Sequence, residues 1–386
     1  MRDFMNLFSR CARPIIACVL AAATLAACSA DVDPRRVPEP LTDFKQTLQV
    51  GEAWSNSVGK ANGYLFQPAV VGNAVYAAGY NGTVSKIDAT NGQTLWHIKL
   101  SGYLSAGVGS DGTLTAVGGP QGQVYLLGPD GKLLWQASAD GGVISPPLVG
   151  NGYVVVRTID GRVLAFNAQT GELKWTYRSR TLPLNLRTTL GMIFAGHNAV
   201  LVGLPGGSLV ALNVATGDAF WQTAVSYPSG VTEMERINDV AGSPVLVGRG
   251  VCAVTYQGRI GCFDGESGQP IWSQAFSSYG GLAQDGDILV SADDFSIVNA
   301  YEAISGKKLW TNDKLRSRSL TAPLLVGDTV VFGDFQGYVH FLSRENGQFV
   351  ARVRANHSGI TAPPVLAANL VVVQTNDGDI YAYRPK

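Results

Sequence analysis

The sequence predicts an all-β chain folded as an eight-bladed propeller of four-stranded blades, and three observations carry that expectation. First, a tight turn leading into a strand that ends on tryptophan recurs along the chain: "IDATNGQTLW" (87–96), "LLGPDGKLLW" (126–135), "FNAQTGELKW" (166–175), "LNVATGDAFW" (212–221), "FDGESGQPIW" (263–272) and "YEAISGKKLW" (301–310). Second, Trp54, Trp96, Trp135, Trp175, Trp221, Trp272 and Trp310 are spaced by 42, 39, 40, 46, 51 and 38 residues, within or near the ~40–50-residue period of propeller blades. Third, the two ends of the chain are fragments of one further unit. "TAPPVLAANLVVVQTNDGDIYAYRPK" supplies three strands, and "LQVGEAWSNSV" supplies a fourth that carries Trp54. Seven whole repeats and this composite make eight blades closed by an N-terminal strand, an arrangement that avoids an open radial array with exposed strand edges.

Taken in order, residues 1–27 have the anatomy of a secretory signal peptide. Arg2, Arg10 and Arg13 precede the apolar run "PIIACVLAAATLAA", too short and too rich in small residues for a good membrane span. The run ends in "LAAC" (25–28), which resembles a bacterial lipobox and makes Cys28 the expected lipidation site. Several acyl chains on one residue anchor a protein stably where one chain would not. Serine at position 29 implies sorting to the outer membrane. Residues 28–45, with Pro34, Pro38 and Pro40, read as a semi-extended tether reaching ~50 Å at ~3.1 Å per residue. The propeller is expected over residues 46–386.

One repeat shows the plan of a blade: "PPLVGNGYVVVRTIDGRVLAFNAQTGELKWTYR" divides into "PPLV", "YVVVRT", "RVLAFN" and "ELKWTY" at Gly, Asn and Asp turns. In the recurring turn, glycine tolerates the positive φ, and the tryptophan four residues later belongs to the outermost strand, where a large ring can wedge between blades. A unit repeated in every blade is a joint of the scaffold. The seventh repeat, "RENGQFVA" (344–351), has Ala351 where tryptophan would sit.

Composition narrows the function. Fifteen per cent of residues are charged and 46 are glycine, which suits short strands and tight turns rather than disorder. Formal net charge is zero, and removal of residues 1–27 leaves −2, so no basic field recruits nucleic acid. The four histidines are scattered without metal-ligand spacing, and there is no C-x-x-C-H for an attached haem. No catalytic residue, metal or cofactor is expected. Cys252 and Cys262 lie on two strands joined by a Gln-Gly turn. They form either a disulfide or two buried thiols.

Repeats of this type resemble the PQQ-like repeats of the quinoprotein alcohol dehydrogenases. Those enzymes hold a quinone against a disulfide between adjacent cysteines, beside a calcium ion and a catalytic aspartate. No two cysteines are adjacent here, so a PQQ-dependent periplasmic dehydrogenase is the alternative reading. Across the whole mature chain the sequence resembles the BamB family, the propeller lipoproteins of the outer-membrane β-barrel assembly (BAM) machinery. "TLPLNLRTTLG" (181–191) and "TEMERINDV" (232–240) resemble the two stretches through which that family contacts the periplasmic POTRA domains of BamA. The first family pattern, Leu-x-Leu-Arg, falls on Leu184, Leu186 and Arg187. The second, D-x-D, is matched by Asp239 but not by Ala241, with Asn238 or Glu235 to compensate.

The residues lead to the same region independently. The intervals Trp175–Trp221 and Trp221–Trp272 are the two longest, and each insertion follows a tryptophan strand. Both loops therefore project on one face from consecutive blades, where insertions often form a binding surface. Leu184 and Leu186 suit apolar anchors and Arg187 a hydrogen-bonding fork, unless the leucines pack under their own loop and Arg187 pairs with Asp239. Glu233, Glu235, Arg236 and Asp239 either form a polar rim or hold the loops together. The resemblance implies a non-enzymatic scaffold on the periplasmic side of the outer membrane. Its partners would be BamA and other BAM components, with unfolded outer-membrane proteins as a further candidate, paired at strand edges.

Overall fold

The computed structural model describes Asp33, residues 36–179, Leu186 and residues 191–386. The expected signal peptide and Cys28 lie outside the described residues. The chain divides into two compact units, Met1–Val37 and Pro38–Lys386. In the first, the described residues form a turn in which the Arg36 amide donates to the Asp33 carbonyl (2.8 Å).

The second unit is built from eight four-stranded antiparallel sheets. Blades 1 to 7 are continuous in sequence and begin at Ala69, Gly109, Leu148, Met192, Val240, Leu282 and Leu324. Blade 8 combines Val365–Ala367, Leu370–Gln374 and Asp379–Pro385 with Val50–Ser57 as its outer strand. That strand pairs from Val50 opposite Pro385 to Ser57 opposite Asp379, so the two ends of the chain close the ring as expected.

Burial explains the strand chemistry. The second strands, such as Ala74–Ala78 and Tyr153–Arg157, are buried on both faces and read as apolar runs, the latter closed by the buried Arg157. The outer strands alternate, as in Thr94–Lys99, because only one face meets the next blade. Core clusters span neighbouring blades: Val155 and Val163 of blade 3 pack with Val200 and Val210 of blade 4. Each outer strand carries a β-bulge, which sets one residue out of register just before the tryptophan position. The skipped residues include Leu95, Leu134, Phe220, Ile271 and Leu309, all exposed. A bulge re-aims a side chain away from the ladder, which accounts for apolar residues on the outer rim.

The tryptophans join the blades. Each indole N–H donates to a carbonyl in the turn of the following blade: Trp54 to Ala89 (2.8 Å), Trp96 to Pro129 (3.0 Å), Trp135 to Ala168 (2.9 Å), Trp175 to Val214 (2.8 Å), Trp221 to Gly265 (2.9 Å), Trp272 to Ala303 (2.9 Å) and Trp310 to Arg344 (2.8 Å). The ring lies flat against the turn glycine of that blade. At Gly347, which has φ +73°, an added Cβ would sit 2.4 Å from Trp310. Glycine is thus required twice at such positions, for its backbone and for the indole. Blade 7 offers no tryptophan, and Ala351 is fully buried in the seam with blade 8.

The boundary of the tether differs from the expectation. Residues from Glu39 onward lie against blade 7 instead of standing free. Glu39 bonds to Arg316 and Arg318, Arg352 donates to the Thr42 carbonyl, and the amides of Thr47 and Leu48 both donate to Val350. The cause is Phe44, an aromatic residue in a polar stretch, which stacks on Phe349 with ring centres 5.1 Å apart.

Of the two states open for Cys252 and Cys262, the structure has the disulfide. The two residues sit directly opposite on neighbouring strands of blade 5, with Cα atoms 4.0 Å apart, and both are buried.

Candidate functional site

The two long connections run from the outer strand of one blade to the inner strand of the next, so they share a face of the ring. The first joins Leu173–Arg178 to Met192–Ala195, and the second joins Ala219–Ala224 to Val240–Val247. Part of the second insertion lies in the strand itself: Val240–Val247 has eight residues and an irregular register between Ala241 and Val245. Leu184 and Arg187 lie outside the described residues. Leu186 is described and half-buried.

Asp239 is fully buried at the root of the second loop. Its carboxylate accepts from the amide of Leu186 (2.5 Å) and from that of Gly206 (3.1 Å). Its charge is felt by Arg157, a fully buried guanidinium whose three nitrogens have no hydrogen-bond partner among the described residues. Burial pushes the Arg157 pKa down to about 10, and the charge of Asp239 opposes that shift. Burial likewise raises Asp239, opposed by the two amides and by Arg157. Of the two arrangements open to this aspartate, its burial and partners match the one that holds the loops together. The D-x-D position at Ala241 is buried too, in a place with no room for a rim.

The second loop is pinned at its base and ordered at its tip. Ser226 donates to Asn238 (2.6 Å), whose amide group donates to the carbonyls of Tyr227 (3.2 Å) and Gln257 (3.4 Å). At the tip, Thr232 and Glu235 form a capping box: Glu235 accepts from the amides of Val231 (2.8 Å) and Thr232 (3.0 Å), and its own amide donates to the Thr232 hydroxyl (3.2 Å). These bonds hold the Glu235 carboxyl below its ordinary pKa, the amide of Thr232 contributing most. Glu233 and Arg236 are exposed beside it.

Three residues that the sequence analysis did not single out stand furthest out: Tyr227 is 80% exposed, Val231 96% and Met234 70%. Their signal was present in "YPSGVTEMER", where a purely solvated loop would carry polar side chains. An ordered loop displaying apolar groups above a charged rim has the composition of a protein-binding patch.

The mouth of the central channel opens on the same face. A cavity of about 420 Å³ is lined by Tyr64, Tyr80, Ser105, Ile144 and Ile159 among others, and a neighbouring one of about 340 Å³ by Tyr279, Leu320 and Thr361. No charged side chain lines either of them among the described residues. No metal-binding cluster of His, Cys, Asp or Glu occurs among the described residues. The disulfide lies inside blade 5 rather than at the mouth. These residues do not fit a quinone held beside a metal ion and a disulfide of adjacent cysteines.

Comparison with known proteins agrees with this geometry. The family model described as outer membrane protein assembly factor BamB matches residues 80–312 and 294–386. The chain is 59% identical to the outer membrane protein assembly factor BamB of Burkholderia pseudomallei, over 99% of this chain and all of that one. It is 43% identical to the protein of the same name from Bordetella pertussis, over 91% of each chain. Among solved structures, BamB from Moraxella catarrhalis superposes with a TM-score of 0.81 at 24% identity, covering 87% of this chain and 100% of that one. A europium-containing methanol dehydrogenase superposes at 0.70 with 14% identity, over 87% and 93%. At that identity the likeness shows the fold alone.

Proposed function

The chain belongs to the BamB family of outer membrane protein assembly factors, and from that premise we propose that it works without catalysis, as a scaffold that binds BamA's periplasmic POTRA domains. It is lipid-anchored through Cys28 on the periplasmic side of the outer membrane, orients the POTRA chain and so assists the insertion of β-barrel proteins. The observation that carries this reading is the pairing of two loops from consecutive blades. Asp239 ties the first loop to the root of the second, and the second presents Tyr227, Val231 and Met234 to solvent. Exposed apolar anchors inside a charged rim favour a folded protein partner. Leu184, Leu186 and Arg187 complete the patch from the first loop, with Glu235 ordering the second and Arg236 at its edge. The uncharged channel mouth supports the non-enzymatic reading over a quinone-dependent dehydrogenase.

The test is a mild-detergent pull-down from membranes with tagged wild type, Arg187→Glu and Val231→Asp/Met234→Asp, co-purifying proteins being identified by mass spectrometry. BamA retained by wild type and lost from both folded, lipidated variants supports the function and the loop site together. Retention by all three moves the site elsewhere on the propeller. Absence of BamA from wild type defeats the scaffold reading.

A further inference from the structure

Seven of the eight seams are locked by a tryptophan lying on the next blade's turn glycine, and the seam between blades 7 and 8 has Ala351 instead. The turn is missing on the other side too, because the third strand of blade 8 ends at Pro385 and its fourth begins at Val50. In that place the Lys386 amide donates to the Gln49 carbonyl (2.9 Å). We infer that Glu39–Gln49 is the eighth lock: a strap along the outer edge of blade 7 that closes the seam in place of an indole.

The strap is held at three levels. At its far end, Leu48 packs on the cluster that contains Ala351, Phe341 and Tyr383, and the Thr47 and Leu48 amides donate to the carbonyl of Val350 (3.0 and 3.1 Å), the bulge residue of that outer strand. In the middle, the Arg352 guanidinium lies 5.0 Å from the ring centres of both Phe44 and Phe349. It also donates to the Thr42 carbonyl (3.1 Å) and to His340 Nδ1 (3.2 Å). At the near end, Arg318 donates to the Glu39 carbonyl (3.1 Å) while bonded to the buried Asp334 (2.8 and 2.7 Å). Asp334 in turn accepts from His340 Nε2 (2.9 Å). Arg352 of blade 7 and Arg318 of the connection leading into it thus reach out of one buried network to hold backbone carbonyls of the strap. This is peptide recognition within the chain: main-chain bonds to a strand edge, one aromatic anchor, and cationic forks at both carbonyls.

Hydrogen exchange on the mature, lipid-free chain from Ser29 to Lys386 tests the inference, comparing wild type with Phe44→Ala. Amides of residues 349–354 and 379–385 are expected to exchange on the order of tenfold faster in the variant, the size of a lost aromatic pair. Residues 153–178 of blade 3, whose seams keep their tryptophans, should be unchanged. Phe44→Leu, which keeps apolar contact without the ring stack, should fall between the two and serves if Phe44→Ala does not fold. Wild-type rates at 349–354 in both variants would overturn the lock. So would equal acceleration all round the ring, because that would make Phe44 an ordinary packing residue.

Discussion

The side chain of Asp239 accepts a hydrogen bond from the backbone amide of Leu186, 53 residues earlier in the chain, and so fastens one long loop to the root of the next. The charge of the same carboxylate acts on the buried Arg157, opposing the effect of its burial. Removing one member of a buried charged pair strands the other, which costs far more than the pair itself contributes. Asp239→Ala should therefore lower the stability by roughly 3 kcal/mol, read as a fall in the urea midpoint. Adding Arg157→Met should recover part of the loss, because the stranded cation goes with it. A double variant no more stable than Asp239→Ala would show that the two charges do not communicate.

The buried network of blade 7 makes a prediction about pH. His340 is fully buried, and burial holds its pKa below the usual 6.5 even though Asp334 beside it pulls the other way. It is neutral, donating from Nε2 to Asp334 and accepting at Nδ1 from Arg352. Asp334, although burial opposes its charge, is held below the ordinary carboxylate value by His340, Arg318 and the Tyr338 amide. In the unfolded chain His340 takes up a proton as the pH falls past 6.5, while in the folded protein burial defers that uptake to a lower pH. The stability it contributes is present above that value and declines as the pH drops below it. Thermal midpoints measured from roughly pH 7.5 to pH 5 should fall, and His340→Gln should flatten that slope.

The turn glycines divide into two kinds. Gly347→Ala meets Trp310 at 2.4 Å, with φ +73°, whereas Gly152→Ala has φ +83° and nothing within 4 Å. The second should cost only the backbone strain of about 1 kcal/mol. The first adds a steric conflict in a close-packed seam and should cost at least ~2 kcal/mol more. Equal urea midpoints for the two variants would mean that the indole does not press on the glycine.

The Cys252–Cys262 bond closes a short hairpin loop, with the two residues ten apart. Its reduction should cost ~2–3 kcal/mol, and neither thiol should be alkylated before reductant is added. Non-reducing mass mapping that finds both thiols labelled in the native, unreduced protein would contradict the bond.

How far the sequence was readable depends on whether a residue's partners are near or repeated. The blades could be counted because tryptophan and glycine recur at a fixed spacing, and the two half-units at the termini add to one. The position of Asp239 was not readable, because its partners are backbone amides of Leu186 and Gly206, and a backbone amide has no letter. A buried clamp and an exposed rim residue are written alike. Phe44 was not legible for a related reason: one aromatic among prolines and charges gives no period, and its meaning comes from Phe349, far along the chain. Tyr227, Val231 and Met234 were legible as apolar letters in an otherwise polar loop.

The strap also decides where a mechanical load enters the molecule. With Glu39 fastened, eleven peptide steps separate it from Cys28, a leash of at most roughly 40 Å when taut. On the proposed lipidation, a pull toward the membrane reaches Arg318 and its carboxylate before it reaches any strand of the ring. The chain enters beside the connection from blade 6 to blade 7, which is an outer-to-inner connection like the two long loops. The point of fastening therefore shares a face of the ring with the two long loops.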